Sequence, residues 1–194
     1  MVGTGINEGD APETLDNPSE RARLPLFNGY NVLSRFKFKS NKLDFTSEQE
    51  ILRVNTSRGI CCHVGGKIDF DGAGNLYLST GDDTNPFQST GFTPIDDRPN
   101  RNPAFDARRS AGNTNDLRGK ILRIHVRDDA SYYIPQGNLF RQGQSGTRAE
   151  IYVMGVRNPF RYSVNRTNGD LYLGDYSPDS PSARCAGPRA PGAG

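Results

Sequence analysis

The sequence predicts an all-β chain built from repeated antiparallel units, in the manner of a β-propeller. Two glycine turns, Asp71-Gly72-Ala73-Gly74 and Asn165-Arg166-Thr167-Asn168-Gly169, each separate two short alternating runs, the pattern of a β-hairpin. Leu-Tyr-Leu follows the turn in both copies (Leu76–Leu78, Leu171–Leu173), and Gly-Asp closes both (Gly81-Asp82, Gly174-Asp175). Internal repetition of one β unit points to radially repeated sheets. With 22 glycines and 13 prolines in 194 residues, turns are plentiful.

Composition narrows the function. The net charge of +2 makes no electrostatic case for nucleic acid or a membrane surface. The mean hydropathy is −0.70, and no apolar run approaches the roughly 18 residues of a membrane span. The N-terminal residues lack the basic region and apolar stretch of a secretory signal. The adjacent Cys61 and Cys62 and the distant Cys185 do not make a disulfide framework, so free thiols are expected.

Residues 1–25 are polar and read as a loop or disordered extension. Tyr30–Phe38 alternates and reads as a strand, Ser40–Asp44 as a turn, and Glu50–Val54 as a second strand, together the outer half of one blade. The first hairpin, Lys67–Thr80, follows. Asp83–Asn115 has little apolar periodicity. It reads as a solvated excursion or as a cavity rim handling a polar substrate. Arg118–Val126 is a strong alternating strand, and Ser131–Pro135 is expected to complete that blade. Glu150–Gly155 leads into the second hairpin, Phe160–Asp175. Residues 180–194, dominated by Gly, Pro and Ala, read as a disordered tail. The strands amount to about two blade equivalents, fewer than the roughly four or more that close a ring.

His63 stands at the mouth of the first hairpin and Arg157 at the matching place before the second. In a propeller such loops converge on the axis, which brings a base and a cation together. His125, within a strand, reads as structural, as do Asp69, Asp71 and Asn75 in the turn. Asp82 and Asp175 recur at strand ends and read as structural partners of loop amides.

Four segments carry a resemblance: His63-Val64-Gly65-Gly66, Gly74–Asp82, Leu117–Ile124 and Arg157-Asn158-Pro159-Phe160. Their order resembles the soluble quinoprotein glucose/sorbosone dehydrogenases over residues 26–179, in particular the bacterial branch with Cys-Cys-His before the first hairpin. The resemblance implies part of a six-bladed propeller that binds pyrroloquinoline quinone (PQQ) and calcium and oxidises an aldose to a lactone. His63 then matches the general base, suited to the task because an unperturbed imidazole titrates near pH 6.5. Arg157 matches a cation near the quinone oxygens and Asn158 its cofactor-binding neighbour. Ser177 and Pro178 fall where backbone carbonyls ligate calcium.

Some positions depart from the family pattern. Cys62 stands where the best-known members carry an Asp that would hold the imidazole. Phe160 replaces a Gln, and Ser177 a Gly. The resemblance further implies a small sugar as substrate and an electron acceptor of unspecified kind; the family is usually secreted or periplasmic, but the sequence shows no export signal, so location stays open. A chain with two blade equivalents is expected to be inactive alone. The alternatives are a calcium-dependent propeller lactonase and a noncatalytic carbohydrate-binding propeller.

Overall fold

The computed structural model describes residues 12, 14–59, 62–84 and 95–175. Ser177, Pro178, Cys61, Cys185 and the segment 180–194 lie outside them, so the expectations for those residues are not addressed. The regular structure of the described residues is mainly β-strand, with one short α-helix, α1 (Pro18–Arg23). That helix corrects the expectation of a loop up to residue 25. It forms because Asn17 caps it, its side chain accepting from the Ser19 amide at 2.9 Å, and because Pro18 occupies the first turn. A 3₁₀ turn, Leu24–Phe27, then buries Phe27 against Ala104 and Phe105 of the long loop.

Strands β1 (Asn28–Lys39) and β2 (Lys42–Ser57) form one long antiparallel hairpin. Its turn is only Ser40-Asn41, both at positive φ (48° and 64°), shorter than the expected Ser40–Asp44. Asn tolerates that conformation, and a two-residue turn of this hand matches strand twist. The base of the hairpin contributes Leu33, Leu52 and Val54 to the main core. Its far end carries Phe38 and Phe45 into solvent.

The central sheet runs β3 (Ile68–Phe70), β4 (Leu76–Thr80), β5 (Lys120–Val126) and β6 (Tyr132–Tyr133), all antiparallel. Strand β7 (Ile151–Met154) also pairs with β5, at Lys120–Leu122, while β6 takes His125 and Val126. The outer strand of this blade is therefore shared by two segments. That corrects the expectation that Ser131–Pro135 completes the blade alone; the Glu150–Gly155 segment leads into the second hairpin and also supplies part of this edge. The reason lies in alternation along β5. Leu122 and Ile124 join Leu76, Leu78, Ile151 and the β1–β2 residues on one face, while Ile121 joins Tyr77 on the other. A strand buried on both faces needs pairing along its whole outer edge.

The second hairpin, β8 (Arg161–Val164) and β9 (Leu171–Gly174), seats Tyr162 and Val164 against Tyr77 and Ile121. Polar bonds stitch this seam. The Tyr162 hydroxyl lies 2.6 Å from the Tyr77 carbonyl and 3.2 Å from that of Lys67, and the Val164 amide donates to Asp69 Oδ2 at 3.1 Å. A Cβ on Gly72 would stand 2.4 Å from the Arg166 carbonyl oxygen, so only glycine lets the two turns approach this closely. Asp71 and Asn75 are turn residues, as expected. Asp71 Oδ1 accepts from the Ala73 and Asn75 amides at 3.0 and 2.9 Å. His125 is structural too, bonded to Asn75 Oδ1 and stacked on Tyr133.

The described part of the long loop is not a solvated excursion. Asp83, Thr84, Asp96, Asn102, Asp106 and Ser110 are buried. Two 3₁₀ turns, Pro103–Phe105 and Ala107–Arg109, begin on the side chains of Asn102 and Asp106, which accept the amides of Ala104 and Arg108. Lys120, fully buried, donates its three ammonium hydrogens to the carbonyls of Ser110, Ala111 and Arg118 at 2.7–3.0 Å. Burial pushes this ammonium down to about 8.

Removing the seam hydroxyl, Tyr162→Phe, is expected to cost about 1–3 kcal/mol in denaturant unfolding, because a buried carbonyl loses its donor. Tyr132 predicts a pH dependence. Burial, with a hydrogen bond to Glu150, raises its hydroxyl from 10.0 to about 12. The fold therefore prefers the neutral phenol, and that share of stability is intact below pH 10 and lost as pH rises toward 12. Tyr132→Phe should flatten the alkaline fall of the unfolding free energy over that window; an unchanged slope would exclude Tyr132 as its source.

Candidate active site

The loops before β3 and β8 and the ends of β4 and β5 meet at one end of the sheets. His63 and Asp82 are both buried there, at 2 % and 1 % exposure, with His63 Nδ1 2.7 Å from Asp82 Oδ1. The carboxylate accepts, so Nδ1 is the donor in this contact. Asp82 Oδ1 also accepts the Thr84 amide at 3.0 Å, which fixes the carboxylate itself. Ser110 Oγ donates to the Asp82 carbonyl from the long loop.

Arg157 joins the same node through the backbone, its carbonyl accepting the Asp82 amide at 2.7 Å. Asn158 Oδ1 accepts the Gly65 amide at 3.2 Å, two residues beyond the histidine. The amides of Arg157 and Asn158 both donate to Asp175, at 2.7 and 2.9 Å. Asp175 thus does what the sequence predicts of it, ordering loop amides. Asp82 departs from that expectation: it orients an imidazole as well as an amide. The carboxylate that Cys62 cannot supply comes from the far end of β4.

Cys62 is disulfide-bonded, its partner lying outside the described residues, which corrects the expectation of free thiols. Cys62, His63 and Asp83 all have positive φ, at 78°, 21° and 58°. Such backbone costs about 1–3 kcal/mol per residue and clusters where function constrains the chain. Gly81 is a steric requirement of the node. A Cβ there would lie 1.9 Å from the His63 carbonyl oxygen and 2.8 Å from Asn158 Oδ1. The sequence signal for Asp82 was its place after this glycine, but recurrence at Asp175 pointed to a structural part.

The structure therefore brings together His63, Arg157 and Asn158, three of the five residues singled out in the sequence. Ser177 and Pro178 lie outside the described residues. Among the described residues no group of three His, Cys, Asp or Glu side chains is arranged to hold a metal ion.

Known proteins share this framework. The aldose sugar dehydrogenase YliI of Escherichia coli strain K12 is 29% identical over 116 residues, 60% of this chain and 24% of that protein. The crystal structure of the soluble aldose sugar dehydrogenase of Escherichia coli superposes with a TM-score of 0.52 at 25% identity, covering 77% of this chain and 35% of the other. A structure described as a glucose dehydrogenase gives 0.53 at 21% identity, over 90% and 46%, and supports the fold alone. The chain thus spans about a quarter of the curated relative's length and a third to a half of the structural ones. The fold is part of a β-propeller. The model of the Glucose / Sorbosone dehydrogenase family matches residues 27–180, and this chain belongs to that family.

Proposed function

We propose that this chain carries the proton-transfer half of a PQQ-dependent aldose oxidation at the anomeric carbon, giving a lactone. The observation that carries this reading is the buried His63–Asp82 pair at 2.7 Å. An imidazole held by a carboxylate at Nδ1 keeps Nε2 in the acceptor form and stabilises the imidazolium once a proton arrives. His63 Nε2 takes the proton from the C1 hydroxyl. Asp82 is a positioning residue, acting through the ring.

The residues present suit a polyanionic quinone. Arg157 is a buried cation whose backbone carbonyl accepts the Asp82 amide, and Asn158 is an amide side chain in the same node. When bound, PQQ supplies the acceptor for the hydride that leaves C1. Arg157 holds positive charge where negative charge develops. Asn158 and Gly81 keep the two loops in register so that base and cation stay on one side. Calcium, through the backbone of Ser177 and Pro178, rests on the resemblance. Two blade equivalents enclose only part of such a site, so turnover belongs to the longer relatives' architecture and the isolated chain is expected to be inactive.

In a ring-completed protein containing this segment, supplied with PQQ and calcium, His63→Ala should lower kcat for dye reduction by about 10²–10⁴-fold. Asp82→Asn should lower it less, with a displaced pH profile, because an amide still accepts from Nδ1 yet stabilises the imidazolium poorly. Full turnover in His63→Ala would overturn the reading. Lactone hydrolysis without quinone would replace it with the hydrolase, and sugar binding with no redox turnover with the binding module. Gly81→Ala should abolish activity and lower Tm, since backbone at His63 cannot yield by that distance.

A further inference from the structure

On the other side of Asp82, its neighbour Asp83 builds a second polar site. Asp83 is 3 % exposed and faces away from the imidazole. Its Oδ1 accepts Thr56 Oγ1 at 2.9 Å, and Oδ2 accepts the Ser57 amide at 2.9 Å and Arg118 Nη1 at 2.9 Å. Arg118 is further bound by Asp116, which takes both its Nε and its Nη2. Arg109 is served much less well. Its Nη2 donates to the Asp83 backbone carbonyl, and reaches Oδ2 only at 3.4 Å. Its Nε is buried with no hydrogen-bond partner among the described residues. Two guanidiniums thus crowd one carboxylate whose lone pairs are already spent on others.

Both arginines line a polar cavity of about 230 Å³ between the base of the β1–β2 hairpin and the long loop. Residues 28–30 and 55–57 form the rest of its wall, among them Asn28, Tyr30, Asn55 and Ser57. Asn28, Asn55 and Ser57 bring amide and hydroxyl donors to this lining, and Tyr30 a phenol, with Asn28, Tyr30 and Asn55 exposed. Side-chain exposures of 21% for Arg109 and 11% for Arg118 leave each cation reachable from the cavity. Burial, and then the charge of Arg118, push the Arg109 guanidinium below its ordinary value, as an under-compensated cation requires.

We infer that this cavity binds a small phosphate-class oxyanion, anchored by Arg109 and Arg118 and ringed by Ser57 and the two asparagines. A tetrahedral oxyanion accepts from planar guanidinium forks and from hydroxyl and amide donors together, which is the donor set on this wall. It would also supply Arg109 with the negative charge that Asp83 shares among too many partners. This site is independent of the sugar chemistry proposed for His63.

Isothermal titration of the full chain with inorganic phosphate, and separately with glycerol 3-phosphate, tests it at constant ionic strength with chloride as reference. Saturable one-to-one binding is expected for at least one of them. Free phosphate alone assigns a free anion and tighter glycerol 3-phosphate a phosphomonoester, and either upholds the site. Arg109→Gln should weaken binding roughly tenfold or more, the loss of one charge-assisted contact, while Arg161→Gln on β8 leaves it unchanged. Ser57→Ala, which removes only a hydroxyl at the wall, should weaken it several-fold and serves if Arg109→Gln does not fold. No saturable signal above chloride, or equal affinity in native chain and wall variants, overturns the proposal.

Discussion

The short contact between His63 and Asp82 is the constraint around which this end of the molecule is arranged. Asp82 faces three ways at once. Its carboxylate holds the imidazole, its amide reaches the Arg157 carbonyl, and its own carbonyl receives Ser110 from the long loop. One residue thereby ties the first hairpin, the second hairpin and the loop between them. A buried carboxylate offsets its desolvation by accepting hydrogen bonds, and here the ring and the Thr84 amide both bond Oδ1. Loss of the contact would leave two buried polar groups unsatisfied rather than one interaction missing.

The seam between the hairpins keeps that geometry rigid. Tyr77 and Tyr162 bring apolar rings and a hydroxyl to the same interface, so packing and hydrogen bonding fix the same relative position. Asp69, held low by the Val164 and Phe70 amides against the opposing effect of burial, adds a charged acceptor at the far end. With Gly72 admitting the Arg166 carbonyl, the seam is closed at turn, middle and strand end. Lys120 does the corresponding work for the long loop, with three carbonyls converging on one ammonium. The loop therefore behaves as a wall of the site and of the arginine-lined cavity.

Most strands were legible because they alternate and are bounded by glycine turns. Both short hairpins stand where the pattern puts them, within a residue or two. The outer edge of the central blade was not legible, since two short segments compete for one strand and only the packing of Leu122, Ile124 and Ile121 decides how they divide it. The long loop misled for a related reason. Its polar residues satisfy one another in local turns, so a buried segment has the composition of an exposed one. The placement of His63 and Arg157 at one end of the sheets was readable from their matching positions before two copies of the hairpin. Asp82 was not, because the partner of a side chain is a tertiary fact. A Cys at position 62 drew attention to a missing carboxylate that the fold supplies from 19 residues downstream of His63.

Comparison of the two Gly-Asp strand ends shows how a repeated structural device becomes a site. At Asp175 the carboxylate accepts two loop amides, and a Cβ on Gly174 would meet its nearest neighbour, the Arg161 carbonyl, at an ordinary 3.9 Å. At Asp82 one loop amide has been exchanged for an imidazole. Room for that ring requires the chain to press against the His63 carbonyl, which Gly81 alone permits. The same crowding forces Cys62, His63 and Asp83 into positive φ. Among the described residues, the second copy has no non-glycine residue in that region. Among the described residues, positive φ and close approach thus fall on the copy that holds the imidazole. That asymmetry within a repeat is hard to explain by folding alone, because the relaxed version of the same motif lies next to it in the same chain.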